Sequence, residues 1–446
     1  ERARSPAYAS TRDGALDAGA RVRVAETNAR KHEPCPLSGP ERVLARQLHA
    51  YLAVVAGRPL VTAVPFELRI ASSVRDAPAW RREPYRVFFP LGAALAWAGV
   101  LHWLLFALGV TDEYRSIFHS MAQIQGFLAS FAVGFLFTMI PRRTGTAPPA
   151  PWQMAVGLVA PIGTTLCAWF EQWALAQVFW LALLAVIIGF ALRRFREGDV
   201  PPSFVWVIGA LAMGVVGAVL AGFGAASERM WLHDIGRGLV LQGVMTGLIL
   251  GVGGFLIPAI CRGTPPGRIP RIAHLALGLA FVGSFFIETE AIRAAFALRA
   301  AAVGLALIPS ARLWIYPTLP GLHRRLVWIA AWMMPIGYAF VAALPEYRRI
   351  GLHIVFIGCY ALLTLSVSVH VVLSHGGRAE LLGRTPRPLV AVGVLLALAL
   401  ACRMLVDLDA ARLNLWLGIA AASFLASTVC WALLLFRRLP EEAAGR

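Results

Sequence analysis

Long apolar segments separated by short polar ones run almost without a break from Val87 to Phe436. Most of these segments are about 20 residues long, which is the length that a helix needs to cross the hydrocarbon core of a bilayer. We therefore predict an all-α polytopic membrane protein with about twelve transmembrane helices. The predicted helices lie near residues 87–110, 117–140, 152–170, 173–192, 203–224, 237–260, 272–289, 291–309, 322–343, 350–374, 388–407 and 413–436. Very short connections, at residues 171–172 and 288–290, predict two helical hairpins.

The second segment carries a row of polar and small residues. These residues recur at steps of three and four, so they share one face of a helix. They are His119, Gln123, Gly126, Ser130, Gly134 and Thr138. Because polar groups are costly in lipid, we expect this face to look into the helix bundle and to mark a functional region.

Composition agrees with a membrane protein. The chain is 58% hydrophobic, whereas soluble proteins are typically about 45–50% apolar. The net charge of +17 does not favour a nucleic-acid partner, because the positive residues lie between apolar segments rather than along one face. The six cysteines form no CxxC pair, so we predict neither a disulfide framework nor a zinc site.

The arginines predict the orientation in the membrane. They are far more frequent in one set of alternate loops than in the other, and positive residues stay on the cytoplasmic side. Both termini are then cytoplasmic, as an even number of spans requires. Residues 81–438 form the predicted transmembrane domain and residues 439–446 a cytoplasmic tail.

Residues 1–80 differ from the rest of the chain, being basic and lacking an apolar stretch long enough to span a bilayer. We expect a disordered extension. The first methionine is Met121, so residue 1 is not an ordinary initiation site, and we expect a truncated chain, another start codon or added upstream sequence.

The histidines fall at two depths of the predicted bundle. Those near the periplasmic face are His102, His119, His233 and His353, and those near the cytoplasmic face are His274, His323, His370 and His375. Histidines from different helices at one depth can converge on a haem iron or a copper ion, although any one of them can equally be a solvated interfacial residue. His119 and His353 stand out, because each begins a helix whose face continues with small or polar residues.

Charged residues within the apolar segments give further candidates. Arg293 and Arg299 follow Glu288 and Glu290 closely, and Arg403 precedes Asp407 by one helical turn. An intramembrane arginine could hold a haem propionate or a substrate anion, or it could form a structural ion pair, which we favour for Arg403. The glycine-rich run at residues 247–254 predicts close helix packing rather than phosphate binding. No catalytic motif is recognised, so enzymatic activity stays open.

Several blocks of sequence, taken in order, resemble the NnrS family of bacterial membrane proteins. They are Tyr85–Phe89, Phe118–Thr138 with Pro141–Gly145, Arg237–Pro258, Gly351–His353 with Thr364, and Ser374–Arg378. Four positions depart from the family pattern, and two of them, Val369 and His370, stand where the family has threonine and arginine. Met121 and Ala122 stand where the family has histidine and glutamate, and a methionine ligand would favour Cu(I) or a haem of higher potential.

The resemblance implies an inner-membrane protein of twelve helices that binds haem, with copper as a second metal, and that takes part in nitric oxide stress and denitrification. The family's histidines are retained at His119 and His353, which are the expected ligands. His102 and His233 are reserve candidates because they lie at the same predicted depth, and Met121 is a further candidate metal donor. The resemblance also implies a cytoplasmic-side site at His375 and Arg378. The lipid bilayer and nitric oxide are the expected partners.

Two other functions stay open. A secondary transporter would fit twelve helices with polar faces, although the sequence shows no internal repeat and no paired broken helices. An assembly scaffold for a haem-copper oxidase would fit a membrane protein that has little activity of its own.

Overall fold

Helices follow the predicted apolar segments throughout the residues that the computed structural model describes, 77–195 and 201–439, and no strand occurs among these residues. A one-turn helix, Ala79–Arg82, precedes the bundle. The bundle helices are α1 (Tyr85–Ala107), α2 (Ser116–Thr144), α3 (Pro151–Trp169), α4 (Trp173–Phe195), α5 (Pro202–Ala226), α6 (Met230–Arg262), α7 (Arg271–Gly283), α8 (Ile292–Ala311), α9 (Leu322–Ala343), α10 (Pro345–His375), α11 (Arg387–Leu408) and α12 (Ala410–Arg438).

Ten of these described helices are long and apolar enough to cross a membrane, which confirms the predicted all-α membrane fold but falls short of about twelve spans. α3 and α7 are the exceptions. α3 is long enough, with 19 residues, but its threonines, prolines and glutamine lower its hydropathy. α7 has only 13 residues. The helical hairpin predicted at residues 171–172 is present between α3 and α4.

The predicted seventh span, residues 272–289, is too long. α7 ends at Gly283, and the chain turns before α8 begins at Ile292. This turn carries Glu288 back against the bundle, where its carboxylate contacts the guanidinium of Arg299 at 2.6 Å. The helix is shorter than predicted because a carboxylate within an apolar segment needs a positive partner, and the turn brings Glu288 to such a partner inside the protein.

Glycines let α6 lie directly against α5. A Cβ atom at Gly236 would lie 2.3 Å from the backbone nitrogen of Ala221 and 2.5 Å from the carbonyl oxygen of Gly217. In the glycine-rich run, a Cβ at Gly247 would lie 2.9 Å from the carbonyl oxygen of Trp206. The packing role predicted for the run at residues 247–254 is confirmed at Gly247.

Three of the described helices contain wider, π-helical turns. These turns are Ala122–Leu128 in α2, Leu239–Val244 and Ile249–Gly253 in α6, and Ile354–Ala361 in α10. π-Helical turns are rare and occur frequently at functional sites. The polar face of α2 is buried as predicted, since Ser130 is fully buried and Thr138 is 2% exposed.

Contacts at the two ends of the bundle agree with the two sets of loops that the arginine distribution predicts. At one end of the bundle Glu83 pairs with Arg142 and approaches His375. At the other end Arg348 binds Glu288, and His353 lies one turn further along α10. Which end faces the cytoplasm stays a prediction. The predicted extension and tail lie outside the described residues, apart from residues 77–80 and Leu439.

We predict that Gly236→Ala destabilises the protein by about 1–3 kcal/mol, the usual cost of overpacking. The new methyl group would collide with backbone atoms of α5, which cannot rotate away. The measurement is the midpoint of thermal unfolding in detergent.

The matched control is Gly209→Ala in α5, where a Cβ would meet nothing within 4 Å. This substitution should leave stability unchanged or raise it, because alanine favours helix more than glycine does. Equal stability of the two variants would contradict the packing role of Gly236.

Candidate functional site

A cavity of about 670 Å³ opens among α1, α2, α6, α10, α11 and α12, at the end of the bundle that the arginine distribution predicts to be periplasmic. Its walls include residues from the π-helical turns of α2, α6 and α10, among them Gln123, Gln242 and Phe356. The turn between α7 and α8 contributes Phe285 and Glu288. The volume lies within the range of about 300–1,000 Å³ typical of small-molecule and cofactor sites.

His119 lines this cavity from α2. Its Nδ1 lies 2.7 Å from the carbonyl oxygen of Gly99 in α1. The two helices meet closely at this point, because a Cβ on Gly99 would lie 2.3 Å from Nε2 of Gln123. The amide of Gln123 in turn donates to the carbonyl oxygen of Ala96 at 3.0 Å. The imidazole is therefore held by α1.

His353 lines the same cavity from α10, immediately before the π-helical turn. Its Nδ1 lies 2.7 Å from the carbonyl oxygen of Arg349. Since a carbonyl oxygen can only accept, Nδ1 carries the proton in both His119 and His353. The lone pair is then on Nε2 in each ring. Both imidazoles also interact electrostatically with Arg403 of α11.

The two reserve histidines do not line the cavity. His102 is 4% exposed and packs between the rings of Trp103 and Phe118, with its ring centre 6.0 Å from that of His119. The Nδ1 of His233 lies 2.9 Å from the carbonyl oxygen of Ala221. These positions fit packing roles, so neither histidine enters the proposal below.

Met121 also lies away from the cavity. It is 2% exposed and belongs to a small apolar cluster with Phe118, Ala122 and Ala168. Within the residues described, no group of three or more histidine, cysteine or acidic side chains is placed to hold a metal ion. Among the described residues that line the cavity, the histidines are His119 and His353.

The histidines predicted near the cytoplasmic face lie in other surroundings. The Nε2 of His323 lies 3.3 Å from Nδ1 of His370, and the indole of Trp206 donates to Nδ1 of His274 at 3.1 Å. His375 ends α10 about 33 Å from His353, at 1.5 Å per residue. The two cannot belong to one site.

The candidate site at His375 and Arg378 lies beside an ion-pair cluster. Nδ1 of His375 lies 3.4 Å from the carboxylate of Glu83, which also pairs with Arg142. The backbone nitrogen of Arg378 donates to the carbonyl oxygen of Leu373 at 2.9 Å. The cluster joins the start of α1 to the ends of α2 and α10, which fits a structural role.

Behind the cavity wall lies a fully buried arginine. Arg299 of α8 is 0% exposed, and its guanidinium donates to Ser284 Oγ at 2.9 Å, Gln242 Oε1 at 3.0 Å and Glu288 Oε2 at 2.6 Å. Arg348 donates to the other carboxylate oxygen of Glu288 at 2.8 Å. One carboxylate is thus shared by two guanidinium groups.

Hydroxyl groups extend this network between the π-helical turns. The hydroxyl of Tyr360 in α10 donates to the carbonyl oxygen of Gln242 in α6 at 3.0 Å. Thr246 Oγ1 lies 2.6 Å from this hydroxyl and 2.9 Å from that of Tyr338. The network ties α6 to α10, two of the helices that line the cavity, and to α9 behind them.

Three arginines of the cavity wall were missed as site residues by the sequence analysis. Arg237, Arg348 and Arg349 line the cavity, whereas the sequence analysis used them only to orient the loops. The available signal was their spacing, since Arg348 and Arg349 lie about one turn before His353 on the same helix.

A comparison with models of protein families identifies the family of this chain. The model of the family described as NnrS protein matches residues 79–441. The chain belongs to the NnrS family. The match covers α1 to α12 and hence the whole cavity. A search of curated proteins found no match.

We predict that Glu288→Gln destabilises this NnrS-family protein by about 3–5 kcal/mol, because the substitution leaves the buried guanidinium of Arg299 without its carboxylate. The measurement is thermal unfolding in detergent. Removing the arginine as well, in Glu288→Gln/Arg299→Met, should restore part of the loss.

The matched control is Glu290→Gln, two residues away and exposed, which should change stability little. A Glu288→Gln variant as stable as this control would show that the Arg299 charge needs no partner.

A second prediction concerns Glu83, which lies outside the membrane-spanning segments. Burial raises the pKa of its carboxyl group, but the nearby imidazole of His375 and the charges of Arg142 and Arg86 outweigh this effect and lower the pKa below its usual value. A lowered pKa in the folded state stabilises the protein above the pKa of the unfolded state. This contribution disappears as the pH falls through the folded-state pKa.

We therefore expect Glu83→Gln to lower the unfolding midpoint at neutral pH and to flatten its decline as the pH falls below the pKa of an unfolded glutamate. Glu380→Gln, at an exposed position, should follow the wild-type curve. Parallel curves for wild type and Glu83→Gln would contradict the assignment.

Proposed function

We propose that this protein binds haem in the cavity between α2 and α10, with His119 and His353 as candidate axial ligands. The supporting observation is that both imidazoles line the cavity with Nδ1–H donated to a backbone carbonyl. This hydrogen bond fixes the tautomer and orientation of a ligating histidine and leaves Nε2 for the metal.

The donor set fits haem better than copper. A haem iron receives four nitrogen ligands from its porphyrin and needs only one or two from the protein, which two imidazoles can supply. A copper site built from side chains needs further donors, and Met121 is buried in another cluster. A bound haem would supply an iron that binds a small ligand such as nitric oxide or exchanges an electron.

Other residues of the cavity wall would orient the candidate ligands. The carbonyl of Gly99 orients His119, Gln123 ties the same part of α2 to Ala96 in α1, and Phe127 and Phe424 belong to the apolar part of the wall. We propose the bacterial inner membrane as the location and relief of nitrosative stress in denitrification as the role. Membership of the NnrS family and the ten membrane-length helices support this proposal.

The alternative with a specific observation in its favour is an anion transporter. The cavity is lined by four arginines, Arg237, Arg348, Arg349 and Arg403, and a carrier for a small anion could use them directly. Such a protein would bind and move its substrate without any haem.

The test is the reduced-minus-oxidised absorption spectrum of the protein purified in detergent after expression with ample haem. We expect a haem spectrum from wild type and a loss of most bound haem in His119→Ala and His353→Ala. The matched control is His370→Ala on α10, whose imidazole contacts His323 at the other end of the helix. It should retain haem.

Added imidazole should restore the spectrum of His353→Gly if the ring acts as a ligand, whereas a misfolded variant would not recover. A wild-type protein without haem would overturn the proposal and favour the transporter. Equal haem content in wild type and both alanine variants would place haem elsewhere.

A further inference from the structure

Positive charge is in excess around the cavity. Among the described residues, five guanidinium groups line it or bind its lining side chains, those of Arg237, Arg299, Arg348, Arg349 and Arg403. They face three carboxylates, those of Asp234, Glu288 and Asp407. The surplus is two positive charges. The side chains of Arg348 and Arg349 are 40% and 69% exposed, whereas those of Arg237 and Arg403 are 27% and 13% exposed. Because buried charges are costly unless they are paired, the surplus indicates an anionic ligand, most strongly beside Arg237.

The surplus of positive charge arises because two carboxylates are each shared by two arginines. Glu288 serves both Arg299 and Arg348. Asp407 likewise serves Arg403 at 3.1 Å and Arg349 at 3.5 Å. Each of these carboxylates therefore neutralises one of its two arginines and leaves one positive charge over.

Arg237 is the least satisfied of the five. The carboxylate of Asp234 is 3.9 Å from its guanidinium and belongs to a side chain that is 65% exposed. Its Nε is buried and has no hydrogen-bond partner among the described residues. Its remaining contact is Ser120 Oγ at 3.3 Å, next to His119 in the chain. Arg237 also lies near enough to Arg348 for the two guanidinium groups to repel each other.

The surplus lies beside the two imidazoles. Arg237 reaches α2 at the residue after His119, and the carbonyl of Arg349 holds His353. A ligand that binds both imidazoles therefore meets the arginines at the same end of the cavity. Haem carries two propionate carboxylates at one edge of its ring, which matches the surplus in number and in sign.

We propose that Arg237, together with Arg348 and Arg349, binds the two propionate carboxylates of haem. This inference rests on the proposed function. It assigns the guanidinium of Arg237 to a carboxylate that accepts a charge-assisted hydrogen bond, which is among the strongest in proteins.

The probe is haemin compared with haemin dimethyl ester. The ester keeps the iron and the ring but lacks the two negative charges. The full-length protein is purified without haem, and both compounds are titrated into it while the absorption spectrum is recorded. We expect wild type to bind haemin at least about tenfold more tightly than the ester, as charge-assisted bonds imply.

Variants of Arg237 separate a propionate contact from a structural role. Arg237→Gln should bind haemin more weakly but the ester almost unchanged, so that the preference falls severalfold. Arg237→Lys, which keeps the charge, should retain part of the preference. The matched control is Arg229→Gln, an exposed arginine just before α6 that does not line the cavity. It should behave as wild type.

The outcomes distinguish this inference from the proposed function. If wild type binds haemin and ester equally, or if Arg237→Gln keeps the full preference, the inference is overturned while haem binding stands. If Arg237→Gln weakens both compounds equally, Arg237 acts on the fold and the inference is again overturned. If wild type binds neither compound, both proposals fail.

Discussion

A polar group within the bilayer has to find its partner inside the protein, and this constraint explains most of the structure around the cavity. Arg299 is the strongest case. Its fully buried guanidinium is satisfied only because the chain turns after α7 and brings Ser284 and Glu288 against it, while Gln242 approaches from α6. Burying this one charge thus involves three features of the fold, which are the early end of α7, the π-helical turn in α6 and the position of α8.

The same constraint orients the candidate ligands. An imidazole in an apolar bundle needs an acceptor for its N–H, and both His119 and His353 find a backbone carbonyl. That leaves Nε2 as the atom available to a ligand. The π-helical turns next to both histidines widen the helices where the cavity lies, and the bond from Tyr360 to the carbonyl of Gln242 ties two of these turns together. The cavity is therefore part of the packed bundle and not a gap between loosely placed helices.

Much of this could be predicted from the sequence, because length, hydropathy and spacing are local properties. The helices, the buried face of α2 and the Arg403–Asp407 pair follow from them. The location of Met121 could have been predicted as well, since two residues place it about 200° around the helix from His119. The π-helical turns and the convergence of arginines from α6, α10 and α11 could not. They depend on how helices that are distant in sequence pack together, and no local pattern of residues indicates that packing.

Charge then links the site to the stability of the bundle. A cavity whose wall holds more guanidinium groups than carboxylates is less stable without an anion, because the arginines repel one another. An anionic ligand removes that repulsion and binds only the folded state, so its binding free energy adds to the stability of the fold. The two shared carboxylates, Glu288 and Asp407, leave this compensation incomplete. On this argument the protein is most stable with an anion bound in the cavity, and under the proposed function the arginines would select the ligand by its charge and the histidines by its iron.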